Sequence, residues 1–181
     1  MMKRSAVTHA ALSTTVHPHN MRFVPLRDPE SLMSILSNIS FLGGVSDSQR
    51  SKIFQRLEIG RFEKGECVSK HGEEAVHIYI ITKGKIVLML TDNKVEVRKR
   101  EFKVGDCFGE AAFLAMNNDT ASFLATEYCE LAVLSRHALN QLRHEDPELF
   151  TTLILNIARE LARKLQFTDC ILLKYAHERG S

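Results

Sequence analysis

Apolar positions along this chain follow two spacings, and the change between them divides it. Leu32, Ile35 and Leu36 fall on one helical face, as do Ile53, Phe54 and Leu57. Asp28-Pro29 supplies a helix start, with an Asp cap and proline at the first helical position. Gly43-Gly44 breaks that helix, and Ser46-Asp47-Ser48-Gln49 reads as a capping box opening the next. From about Leu57 to Ser135, helical spacing gives way to short runs rich in Val, Ile, Phe and Tyr, punctuated by Gly, Asp and Asn. Strands are expected over 57–62, 66–70, 77–82, 85–90, 95–102, 120–126 and 130–135, with hairpins at Lys83-Gly84 and Asp92-Asn93. Strands this close, with no helices between most of them, argue for a small antiparallel barrel.

Helical spacing then returns. Ser135 caps a short helix over about 136–143, and Asp146-Pro147 opens a long one over about 147–175. Phe150, Leu153, Ile154, Ile157, Leu161, Leu165, Ile171 and Leu172 give the long helix an apolar stripe. Arg159, Glu160, Arg163 and Lys164 interrupt the stripe and are expected to face water. The stripe either covers the barrel along its whole length or leaves part of itself for a partner. The expected fold class is mainly β with flanking helices: an antiparallel β-barrel or jelly roll with N-terminal helices and a long C-terminal helix. The domain is expected over 28–176, with the barrel at 57–135 and the C-terminal helices at 136–175.

Composition narrows the function classes. A chain of 181 residues, 44% hydrophobic, suits one domain with a sizeable core plus extensions. A net charge of +2 is too small to argue for nucleic acid or membrane binding. No apolar run approaches the roughly 18 residues of a membrane span. Cys67, Cys107, Cys129 and Cys170 form no C-x-x-C pair, and such scattered cysteines suit a reducing, cytoplasmic setting. Residues 1–27 lack Asp and Glu but hold Lys3, Arg4, Arg22 and Arg27. They read as a flexible basic leader, a transit peptide or a cloning remnant. His17-Pro18-His19 within them reads as part of a solvated tail. No nucleophile–base pair is evident, so the chain is expected not to be an enzyme.

Candidate chemistry lies in Phe108-Gly109-Glu110-Ala111-Ala112-Phe113-Leu114, followed by Asp119-Thr120-Ala121-Ser122-Phe123. Glycine lets the backbone turn and approach a ligand, and the free N–H groups of a helix start suit an anion. The segment resembles the phosphate-binding cassette of the cyclic nucleotide-binding domain family, in which F-G-E-hydrophobic-A leads to R-[ST]-A or R-A-A. Phe62-Glu63-Lys64-Gly65-Glu66, His71-Gly72-Glu73, Tyr79-Ile80-Ile81 with Gly84, and Gly105-Asp106-Cys107-Phe108-Gly109-Glu110 resemble further family segments in the family's order. The similarity runs from about Phe41 to Leu172, and catabolite activator protein and the regulatory subunits of cyclic-nucleotide-dependent kinases share the element order.

The resemblance implies a ligand site at Phe108, Gly109, Glu110, Ala111, Ala112, Asp119, Thr120 and Ala121. By it, Glu110 would accept from a ribose 2′-hydroxyl, and backbone N–H groups near Gly109, Ala111 and Ala112 would face a cyclic phosphate. The family arginine, nine residues beyond the glutamate, would pair with the phosphate, but that position holds Asp119. No Lys, Arg or His occurs between Lys103 and Arg136, so no shift of register recovers it. A cation must come from another strand, the long helix or a second chain. A carboxylate about 4 Å from a phosphate repels it by up to about 4 kcal/mol at an effective dielectric near 20. Ordinary cyclic nucleotide binding is therefore expected to be weak or lost.

The leading expectation is a stand-alone sensor or regulatory module, a homodimer through its last helix, whose ligand is a cyclic nucleotide or a related small molecule, acting on a protein partner. The residues after Leu172 are too few for a recognition helix, so direct DNA binding is not expected, nor is a membrane. A structural dimerisation module with its pocket filled by its own side chains is the alternative. Glu110 then only charges a helix start and Asp119 is an ordinary turn residue. A cupin-like metalloprotein would draw on His71, Glu73 and His77, but the barrel lacks the H-x-H such a site needs.

Overall fold

The fold turns on two strands whose neighbouring residues serve two different cores. In the computed structural model, which describes residues 23–27, 32–36, 39–92 and 95–179, β4 (His77–Lys83) pairs antiparallel with β9 (Cys129–Ser135). Tyr79, Ile81, Leu131 and Val133 point into the barrel with Phe62, Phe108 and Phe123. Ile78, Ile80, Ala132 and Leu134 point the opposite way, into a second cluster shared with the helices. Two-residue side-chain alternation with both faces covered explains why these strands read as unbroken apolar runs.

Around this pair the strands form two antiparallel sheets. One has the order β1 (Phe23–Pro25), β2 (Glu58–Phe62), β9, β4, β7 (Cys107–Phe108); the other has β3 (Cys67–Ser69), β8 (Ser122–Ala125), β5 (Ile86–Asp92), β6 (Val95–Phe102). The expected strands are present with small shifts in their ends. β5 pairs antiparallel with β6, Asp92 opposite Val95, as the hairpin expected at Asp92-Asn93 requires; Asn93 itself lies outside the described residues.

Three expectations are corrected. Lys83-Gly84 is not a hairpin, because β4 and β5 lie in different sheets; it is the corner where the chain changes sheet. Gly84 has φ +83°, and a Cβ there would lie 2.4 Å from the Tyr128 carbonyl oxygen, so only glycine makes this corner. Phe23–Pro25, read as part of a flexible basic leader over 1–27, is an edge strand on β2 with Val24 opposite Ile59. Lys164, expected to face water, turns inward. The short strand β7 was not foreseen, since two residues are too few for an alternation to show. Residues 1–22, including His17 and His19, and the Asp28-Pro29 start signal lie outside the described residues.

The helices close the outer face of the first sheet. α1 (Met33–Leu36), a 3-10 turn (Ser40–Leu42) and α2 (Asp47–Phe54) precede the barrel. The Ser46–Gln49 capping box is formed in both directions. α3 (Glu110–Ala115) sits within the barrel segment, and α4 (Arg136–Glu145) and α5 (Pro147–Arg179) follow it. Ser135 accepts from the Ala138 N–H and Asp146 from the Leu149 N–H, so both expected caps are in place. Leu149, Leu153 and Ile157 are fully or almost fully buried against Leu36, Phe41 and Leu42. Each such side chain contributes roughly 1.5–3 kcal/mol. Asn156 adds a polar fastening, donating to the carbonyls of Phe41 and Gly43 at 3.2 and 2.7 Å.

Beyond Leu161 the stripe leaves the body of the domain: Leu165, Leu172 and Leu173 are more than 60% exposed. The stripe thus covers the domain with its first half only.

Candidate functional site

A cavity of about 300 Å³ opens between α3, the second sheet and the middle of α5. Phe108, Gly109, Glu110, Ala111, Ala112, Asp119, Thr120 and Ala121, the residues singled out from the sequence, all line it. Arg100 and Phe102 from β6, and Leu161, Lys164, Leu165 and Thr168 from α5, were not foreseen. For Lys164 the signal was an interrupted apolar stripe, which fits a solvated residue equally well. For Arg100, strand alternation gives a face but not which molecule's groups the face meets.

The cassette is held from both ends. Gly109 has φ +86°, and a Cβ there would lie 2.9 Å from the His77 carbonyl oxygen. The backbone can therefore pass close to β4 and open α3 only as glycine. Beneath it, Phe108 stacks on Tyr79 and on Phe123, with ring centres 5.0 and 4.5 Å apart. At the other end, the Arg136 guanidinium donates to the carbonyls of Ala75 and Phe113 at 2.6 and 2.9 Å. It also lies 4.4 Å from the centre of the Phe113 ring.

Glu110, the first residue of α3, is 4% exposed. Its Oε1 accepts from Lys164 Nζ at 2.5 Å, across 54 residues of sequence. The same ammonium donates to the Cys107 carbonyl at 2.9 Å. Glu110 Oε2 is buried and has no hydrogen-bond partner among the described residues. A buried, unsatisfied carboxylate oxygen costs about 1–3 kcal/mol or more, and a hydroxyl or amine donor beside it would recover that cost.

Asp119 is also buried, at 6% exposure, and its carboxylate accepts from the Ser69 hydroxyl. Its backbone is fastened to the turn after β3: the Gly72 N–H donates to the Asp119 carbonyl, and the Asp119 N–H to the Glu73 carbonyl, both at 2.8 Å. Burial pushes the Asp119 carboxyl above the ordinary aspartate range; the Ser69 hydroxyl opposes that shift and Glu73 adds to it. Of the lining residues, Arg100 and Lys164 carry positive charge. Lys164 is engaged by Glu110, and the Arg100 guanidinium lies 4.7 Å from the centre of the Phe102 ring.

Among the described residues no group of three His, Cys, Asp or Glu side chains stands close enough to hold a metal, so His71, Glu73 and His77 form no such group. Likewise, among the described residues no helix is long and apolar enough to cross a membrane.

Residues 59–146 match the family model of the cyclic nucleotide-binding domain. The chain is 27% identical over 134 residues to cGMP-dependent protein kinase 2 of Homo sapiens, an alignment covering 72% of this chain and 18% of the kinase. The chain thus spans less than a fifth of that relative. A cyclic nucleotide-binding domain from Methylobacillus flagellatus superposes with TM-score 0.71 at 22% identity, over 80% of this chain and 83% of the other. The regulatory subunit of a cAMP-independent protein kinase A from Trypanosoma brucei, in a triple mutant bound to cAMP, superposes with TM-score 0.62 at 26% identity, over 72% of this chain and 46% of the other.

Proposed function

Residues 59–146 belong to the cyclic nucleotide-binding domain family, and from that premise we propose that the chain is a non-catalytic regulatory module. Its cavity receives a small hydroxyl-bearing ligand, and Asp119 turns the site away from a cyclic phosphate. One observation carries this reading: Asp119 lines the same cavity as Glu110 and the cassette glycine, buried and held by Ser69. A carboxylate there supplies no counter-charge to an anion, and Lys164, which reaches the cavity from α5, is committed to Glu110. The trypanosomal relative gives a parallel: it is described as cAMP-independent, and the mutant bound to cAMP carries a newly introduced arginine.

Calorimetric titration tests the reading, with cyclic AMP, cyclic GMP and adenosine as probes. The expected result is millimolar or weaker affinity for both cyclic nucleotides and tighter binding of adenosine, which lacks the phosphate. Repulsion of about 4 kcal/mol separates micromolar from near-millimolar binding. Low-micromolar affinity for either cyclic nucleotide would overturn it.

The outer half of α5 supports a further element of the proposal, a homodimer. Leu165, Phe167, Leu172 and Leu173 are exposed on a helix that has left the body of the domain. Sedimentation of the wild type against Leu172→Glu/Leu173→Glu reads it; the expected result is a dimer that the double variant dissociates.

A further inference from the structure

Glu110 is the buried acceptor that the cassette brings to the cavity, yet neither of its oxygens is offered to a molecule there. Oε1 is held by Lys164, and Oε2 is buried with no donor among the described residues. The two partners differ in how easily they can leave. The Glu110 side chain is 5% exposed and that of Lys164 18%, and Lys164 reaches in from a stretch of helix where Leu165 and Phe167 are already exposed. Breaking a buried ion pair is strongly unfavourable unless a new donor takes the carboxylate as the cation departs.

Building on the reading of the cavity as a ligand site, we propose that Lys164 is an internal competitor for Glu110. A ligand hydroxyl gains the carboxylate only by drawing it off Lys164, and that exchange releases α5 from the cassette. Leu161, Leu165 and Thr168 line the cavity from the same helix, so the release alters its wall as well as its anchor. Coupling between two sites is reciprocal. A ligand that loosens α5 therefore binds more tightly once α5 is already loosened. A lysine that merely shapes the pocket gives the opposite sign, because its loss weakens binding.

The test compares the full-length wild type with Lys164→Met, Lys164→Arg and Glu110→Gln. Amide hydrogen exchange over residues 160–175 is followed without added ligand, and adenosine is titrated as the probe. Loss of a charge-assisted hydrogen bond predicts exchange about 10- to 100-fold faster in Lys164→Met, with protection restored in Lys164→Arg. Adenosine affinity is expected to rise in Lys164→Met. Glu110→Gln, which keeps the shape and removes the charge, is expected to loosen α5 in the same direction and reads the lock should the Met variant fail to fold. Unchanged exchange in both Lys164→Met and Glu110→Gln, or a fall in adenosine affinity in Lys164→Met, overturns the proposal. Faster exchange with adenosine binding neither protein supports the lock and overturns instead the reading of the cavity as a ligand site.

Discussion

Asp119 and Ser69, 50 residues apart in sequence, share a buried hydrogen bond at the wall of the cavity. The contact explains how an acid is kept buried at the cavity wall. The hydroxyl donates to the carboxylate, and backbone bonds to Gly72 and Glu73 fix the strand end beside it. It also sets a pH dependence. Burial raises the Asp119 carboxyl above its unfolded value, so the folded state holds its proton more firmly than the unfolded state. The resulting destabilisation is complete above the raised folded value and vanishes below the ordinary aspartate range. Asp119→Asn is therefore expected to raise the Tm at neutral pH and to leave it unchanged near pH 3. Thermal unfolding across that range checks the sign, and a lower Tm at pH 7 would contradict it.

Asp119→Arg puts a cation where the resemblance led to the expectation of an arginine. One charge-assisted contact to a phosphate contributes about 1.5–3 kcal/mol. Cyclic AMP affinity is accordingly expected to rise about 10- to 100-fold over the wild type, and adenosine affinity much less, when both are titrated.

Gly109→Ala combines a left-handed backbone with a Cβ 2.9 Å from the His77 carbonyl oxygen. Such strain costs on the order of 1–3 kcal/mol. Denaturant unfolding should show that loss, while Gly72→Ala, whose Cβ meets nothing within 4 Å, bears the left-handed strain without the clash and loses less.

Leu153→Ala removes a fully buried side chain from the seam between α5 and the N-terminal helices. The expected destabilisation is about 2–5 kcal/mol. Leu172→Ala, on the exposed half of the same helix, is expected to change monomer stability by less than about 0.5 kcal/mol.

Thiol chemistry gives an independent check on the packing around Lys164. Burial pushes the Cys107 thiol up to about 12, against the opposing pull of Lys164, whereas Cys170 is exposed. Iodoacetamide at neutral pH is expected to label Cys170 in minutes and to spare Cys107 until the protein unfolds, as mass spectrometry of the peptides would show.

The segment around Gly109 was legible as one that lines a single cavity because its backbone signals are local. A positive-φ glycine, an acid at a helix start and a run of small residues are written within seven positions, and Asp119 follows at a countable distance. The caps of α2, α4 and α5 were legible for the same reason, each a side chain bonding to a backbone N–H three residues on. The apolar runs of β4 and β9 revealed strands but not which sheet each would join, so the corner at Gly84 read as a hairpin.

Sequence by itself determined the mainly β class, the flanking helices and their caps, because each rests on local periodicity or near-neighbour spacing. Tertiary structure decided what the cavity's charges meet. Lys164 and Glu110, like Asp119 and Ser69, are brought together by the packing of distant elements, and no spacing along the chain encodes that. A polar residue interrupting an apolar stripe looks the same in sequence whether it reaches water or a buried carboxylate; only the three-dimensional path of α5 across the cassette distinguishes the two.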